Sequence, residues 1–246
     1  MEHFLTLYTS GLCGTWITWF ASQHNNFHKF EKETITTDGT ITDLAVHGAT
    51  WCFAPDTEDN APDKAMTFDE YQKRWMIPYS QNPKATKNCI KVLPDHDLGW
   101  DEHQSTEVRQ KVLKPFTGVI IPYLPHDSPF VNMLALRNCF MWPDMPHGED
   151  ETVEEFWTLA ITNARRDMTA GKMNYVNSYA KTLYLNLHAL LMCEEREYLD
   201  LCSFLGEEPL PKWEDHVNHY RTAFICKDWK KLIKKREESS ENSEKS

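Results

Sequence analysis

Phe4-Leu-Thr-Leu-Tyr-Thr-Ser-Gly-Leu-Cys-Gly-Thr-Trp-Ile-Thr-Trp-Phe-Ala-Ser-Gln-His24 is the stretch on which the reading of this chain turns. Phe4 to Tyr8 alternate apolar and β-branched residues, as a strand does. Ser10 to Gly14 holds two glycines, and from Thr15 the apolar side chains fall at Trp16, Trp19 and Phe20, on one helical face. The pattern is strand, glycine turn, helix.

Such a turn has a chemical use. Glycines let successive backbone N–H groups converge on one spot, and the first turn of a helix adds unpaired N–H groups and a positive dipole end. An anion fits there, with the hydroxyls of Ser10 and Thr15 as further donors, Gly11 and Gly14 giving room, and Trp16 and Trp19 anchoring the helix. The plainer reading is an ordinary strand-to-helix turn with a good cap. An ATP-binding loop needs four residues between its glycines and then Lys-Ser or Lys-Thr. Here Gly11 and Gly14 enclose only Leu12 and Cys13 and no lysine follows, which argues against an ATPase or an ordinary kinase.

At 246 residues the expectation is one α/β domain over residues 1–230, followed by a polar tail at 231–246 too hydrophilic to pack. A net charge of −11 argues against a nucleic-acid or acidic-membrane binder. No apolar run is long enough for a membrane span and no signal-peptide pattern opens the chain, so the expectation is a cytoplasmic protein. Seven cysteines without a Cys-x-x-Cys pair fit reduced thiols rather than a disulfide framework or a zinc knuckle.

Further along, residues 27–50 suggest a hairpin or an extended excursion, 54–64 a surface loop, and Thr67 to Trp75 a short capped helix. Lys87 to Leu93 reads as a strand whose end projects Asp95, His96 and Asp97 into the crevice where open α/β sheets bind ligands. His96, Asp97, Asp101 and His103 are also donors of the kind that hold a divalent metal, at a spacing that matches no standard motif. Phe116 to Tyr123 is a buried strand and Phe130 to Phe140 a helix. Glu151 to Met168 is a long amphipathic helix behind an acidic first turn. Tyr175 to Glu195 is another packed element, with Tyr179, Leu183, Leu187, Leu190 and Leu191 inward and His188 in a core hydrogen bond. Tyr198 to Gly206 suits a helix with a left-handed glycine cap.

Cys13-Gly14-Thr15-Trp16 resembles the phosphosulfate-binding loop of sulfotransferases, a strand followed by (Lys/Arg)-Ser-Gly-Thr-Thr-Trp at a helix start, with Leu12 standing where the family is usually basic. Leu201, Cys202, Phe204, Leu205 and Gly206 are similar to the Leu-Cys-x-Phe-Leu-Gly helix end that the family carries late in the chain. Pro125 and Asp127 match the family's Arg-x-Pro-x-Asp-x-x-x-Ser, with Tyr123 and Val131 at its Arg and Ser positions; Ser128, Asn132 and Arg137 lie near enough in sequence to stand in. His219 to Lys230 resembles, at a one-residue offset and without its glycines, the segment that closes over the 3′-phosphate, with Arg221 as its phosphate-binding residue.

The resemblance implies a P-loop NTPase-like three-layer α/β/α fold with a mostly parallel central sheet and a helix-rich C-terminal half. The implied co-substrate is 3′-phosphoadenosine 5′-phosphosulfate (PAPS), with no metal. Its phosphosulfate would lie on Ser10, Gly11, Cys13, Gly14, Thr15 and Trp16, and its 3′-phosphate against Ser128, Asn132 and Arg221. His96 would take the proton of a hydroxyl or amine on a small-molecule or glycan acceptor, and Lys91 would serve the leaving oxygen. Two alternatives stand beside this: a catalytically degenerate member that keeps the fold and the nucleotide, and a metal-assisted hydrolase centred on His96 and His103.

Overall fold

A strand covered on both faces needs apolar residues in succession rather than in alternation. The chain supplies such runs around Leu5 and Leu7, at Cys89-Ile90 and at Val119-Ile-Ile121, all buried. In the computed structural model, which describes residues 1–8, 12–28, 84–92, 113–146, 148–169 and 180–244, these runs form β1 (Glu2–Leu7), β2 (Lys87–Val92) and β3 (Gly118–Tyr123). With β4 (Lys181–Asn186) they make a four-stranded, all-parallel sheet of order β2-β1-β3-β4. The chain is thus an α/β protein.

Helix α1 (Gly14–Ser22) follows β1, and α2 (Phe130–Met141) and α3 (Val153–Thr169) lie between β3 and β4. After β4 come α4 (Leu187–Leu191), α5 (Glu195–Leu205) and α6 (Trp213–Tyr220), then a π-helical turn at Arg221–Ile225 and α7 (Trp229–Glu244). The boundaries follow local chemistry. Thr152 and Glu155 close a capping box at the start of α3, the Glu155 N–H donating to Thr152 Oγ1 (3.2 Å) and the Thr152 N–H to Glu155 Oε2 (2.8 Å). Gly206 ends α5 at φ 64°, the left-handed conformation that favours glycine.

The last carbonyls of α5 are met by a buried cation. Lys87 Nζ donates to Leu205 O (2.7 Å), Gly206 O (2.9 Å) and Glu207 Oε1 (2.7 Å), so the first residue of β2 ties the amino end of the sheet to α5. Rings fasten α1 to the C-terminal helices. Phe20, Trp16, Tyr220 and Phe224 stack in sequence, with centroids 5.2, 4.4 and 5.1 Å apart.

Two segments differ from their sequence readings. The packed element expected over Tyr175–Glu195 is, from Lys181, a strand and then a short helix, because Asn186 breaks the run: its Oδ1 accepts the N–H groups of His188 (3.1 Å) and Ala189 (3.3 Å) and caps α4. The polar tail expected at 231–246 is helical to Glu244. Trp229, Ile233 and Arg236 recur at helical spacing; Trp229 is buried with its Nε1–H on Ile225 O (3.0 Å), Ile233 packs against the core, and Arg236 hydrogen-bonds Phe140 O. One stripe is enough to seat a helix whose other faces are charged. The readings for 29–50, 54–64 and 67–75 lie outside the described residues.

Candidate functional site

In an open parallel sheet, ligands bind beyond the carboxyl ends of the strands, where the strand order reverses. From β1 the chain goes by α1 to β2 on one side, and from β3 by α2 and α3 to β4 on the other. The reversal therefore falls between β1 and β3. Their pairing covers only Phe4–Gly118, Leu5–Val119 and Thr6–Ile120, and stops short of Pro122, which has no N–H to give a ladder. The sheet is unpaired at this seam on the carboxyl side.

Cys13 precedes α1 in the left-handed region (φ 57°), which turns the chain from the loop into the helix. Leu12 and Cys13 are buried, Gly14 and Trp16 lie in the first turn, and Thr15 is half-buried. The helix thus begins at Gly14, as its glycine requires: a Cβ there would lie 2.2 Å from Tyr8 Cγ. The space that the sequence reading reserves for a phosphate above Gly14 holds the Tyr8 ring.

Around Cys13 the residues come from three distant parts of the chain. The Tyr220 hydroxyl and the Cys13 thiol lie close enough to act on one another, and the guanidinium of Arg137, from α2, lies close enough for its charge to act on both. Burial pushes the Cys13 thiol up and the Tyr220 phenol well up, and the Arg137 charge opposes both shifts. Arg137 is half-buried and among the described residues makes no ion pair; Nη1 donates to Asn138 Oδ1 at 3.4 Å and the buried Nε has no partner. Among the described residues the indole N–H of Trp16, on a side chain 1% exposed, is also without a partner. A guanidinium and an indole N–H without partners near a helix start have the donor chemistry an anion needs.

A second group of residues sits beyond the ends of β3 and β4. Ser128 Oγ lies 2.9 Å from His188 Nδ1 and accepts the Phe130 N–H at 3.3 Å. The core hydrogen bond expected of His188 is therefore present, with Ser128 as its partner. Glu197 Oε1 accepts the Asn186 N–H at 2.6 Å; burial raises this carboxyl and that hydrogen bond opposes the shift.

Of the residues singled out from the sequence, Cys13, Gly14, Thr15 and Trp16 share the start of α1. Asn132 is exposed on the first turn of α2. Arg221 spends its guanidinium on Leu191 O (2.7 Å) and Asn218 Oδ1 (2.6 Å), where it closes the end of α4. Lys91 pairs through its backbone with Thr6 of β1. Ser10, Gly11, His96 and His103 lie outside the described residues. Among the described residues no three His, Cys, Asp or Glu side chains converge as metal ligands, the six cysteines are free thiols, and no helix is long and apolar enough to cross a membrane.

Tyr8, Tyr220 and His188 carried no site signal in the sequence. Tyr8 was legible only as the end of a strand, and Tyr220 meets Cys13 across some two hundred residues of chain. In comparisons with known proteins, no family model, no curated protein and no solved structure matches this chain.

Proposed function

We propose that the chain is a sulfotransferase-like protein of P-loop-like fold. It binds PAPS at the carboxyl side of the β1–β3 seam and passes the sulfuryl group to a hydroxyl or amine acceptor. The observation that carries this reading is Arg137. The family's loop has a basic residue where this chain has the buried Leu12, and Arg137 brings a cation with no counter-ion among the described residues to the same helix start from the neighbouring strand's helix. The anion then lies on the Arg137 and Trp16 side of the loop rather than above Gly14, and its charge offsets a guanidinium that is costly to leave half-buried and unpaired. His96 remains the candidate for the acceptor proton, with a small molecule or glycan as acceptor.

The test is calorimetric titration, without Mg²⁺, with 3′-phosphoadenosine 5′-phosphate, the desulfated product. Wild type is expected to bind it, and Arg137→Gln to lose about ten- to a hundredfold in affinity, the worth of one hydrogen bond to a charged group, with its melting temperature held. Equal affinity in the variant would remove Arg137 from the site, and no binding by wild type would refute the reading.

A second reading has its own observations. Leu12 is wholly buried and the Tyr8 ring covers Gly14, as expected of a member that binds but no longer transfers. Sulfated product from a panel of alcohols, phenols and amines separates the two, because the degenerate protein would bind the nucleotide and form none.

A further inference from the structure

Resting on that nucleotide reading, we infer that His188 Nε2, aimed by Ser128, reads the second phosphate of the nucleotide. The expectation drawn from the resemblance gives this task to Ser128 with Asn132 and Arg221. The structure leaves that hydroxyl little to give: Ser128 is 6% exposed, its Oγ accepts the Phe130 N–H, and it faces His188 Nδ1 at 2.9 Å.

The direction of the Ser128–His188 bond follows from counting protons. A serine hydroxyl has one proton and two lone pairs, and a neutral imidazole has one N–H and one bare nitrogen. If Nδ1–H donated to Ser128, Oγ would accept twice and its own proton would have no acceptor in a buried position. If Ser128 instead donates to Nδ1, every one of these groups is satisfied. The ring proton then sits on Nε2, and a doubly protonated ring also has its N–H there. Nε2 is not among the buried atoms and has no protein partner among the described residues, so it opens to solvent as a donor.

The ring is also held in place. Asn186 Oδ1 fixes the His188 and Ala189 N–H groups, Glu197 fixes Asn186, and the Phe130 ring lies 5.5 Å from the imidazole. All of this stands beyond the carboxyl ends of adjacent strands β3 and β4. Strand β4 is two strand spacings, about 10 Å, from β1, a span one nucleotide can bridge. Ser128 is then a positioning residue, and His188 contacts the ligand.

The experiment compares 3′-phosphoadenosine 5′-phosphate with adenosine 5′-phosphate on the full chain, by calorimetry. Wild type is expected to prefer the doubly phosphorylated ligand. His188→Ala should cut that preference about ten- to a hundredfold, the worth of a hydrogen bond to a charged group, with the affinity for adenosine 5′-phosphate unchanged. His188→Gln, whose amide nitrogen reaches the same point, should keep most of it. Ser128→Ala should lower the preference and Ser128→Thr restore it. Equal loss for both ligands, or an undiminished preference in His188→Ala, would overturn the assignment while leaving the nucleotide site intact. A wild type that binds both ligands equally would do the same, and one that binds neither would remove the nucleotide reading and this inference together.

Discussion

The Tyr8 ring rests on Gly14, so closely that a Cβ added to the glycine would meet Cγ at 2.2 Å and Cδ1 at 2.3 Å. A ring fused to the backbone by one methylene and held at 8% exposure cannot step aside as a flexible chain end would. Gly14→Ala is therefore expected to destabilise the protein by about 1–3 kcal/mol, the usual cost of overpacking, although alanine is by itself the better helix former. In urea unfolding, Tyr8→Ala combined with Gly14→Ala should show a clear non-additive recovery. Additive losses would mean that the two residues do not meet.

Lys87 and Glu207 form an ion pair with side chains only 10% and 4% exposed, the carboxylate also accepting from Asn26 Nδ2 at 3.1 Å. Removing one partner of such a pair leaves a charge where water cannot reach it. Lys87→Met should cost about 3–5 kcal/mol, and Lys87→Met with Glu207→Gln should recover a good part of that in the same unfolding measurement. A double variant no better than the single would place the loss in the contacts of Lys87 with Leu205 O and Gly206 O instead.

Burial pushes the Cys89 thiol up to about 12, against a lowering by its contact with Thr6 Oγ1 at 3.6 Å. The folded protein therefore holds this proton at pH values where the unfolded chain, with an ordinary thiol near 8.5, has released it. Stability from this group is complete below about pH 8.5 and is lost as pH rises from there towards 12, at up to about 1.4 kcal/mol per pH unit. Cys89→Ala should flatten that alkaline slope, read from urea midpoints between pH 8 and 10. An unchanged slope would mean that other thiols carry it, with Cys13 and Cys202, both raised by burial, as the candidates.

Local patterns carried their meaning into the structure where the physics was local. Val119-Ile-Ile121 became a central strand, Gly206 a left-handed cap, and the acidic start at Thr152 a capping box, because each depends on residues a few places apart. The segment Tyr175–Glu195 reads as one element because Asn186, whose side chain caps a helix and ends a strand, does so without disturbing the spacing of the leucines around it. The proposed anion site was half legible. The glycine turn and the helix start were plain, whereas Arg137, the cation proposed to complete it, comes from an element that only the sheet order brings to Cys13. His188 and Ser128 lie sixty positions apart, and no spacing rule links the ends of two strands.

The β1–β3 ladder has three register pairs, whereas β1–β2 and β3–β4 each have six. The sheet thus has a soft line, with β1, α1 and β2 on one side and β3 and β4 on the other. Rings also bridge that line, Trp16 stacking on Tyr220 with centroids 4.4 Å apart. Stacked rings tolerate a small slide that a hydrogen-bond ladder does not. A guest seated across the line, with one end at Cys13 and the other on the Ser128 loop, would act as a splint, and amide exchange along Leu5–Leu7 and Ile120–Leu124 should slow together when it binds.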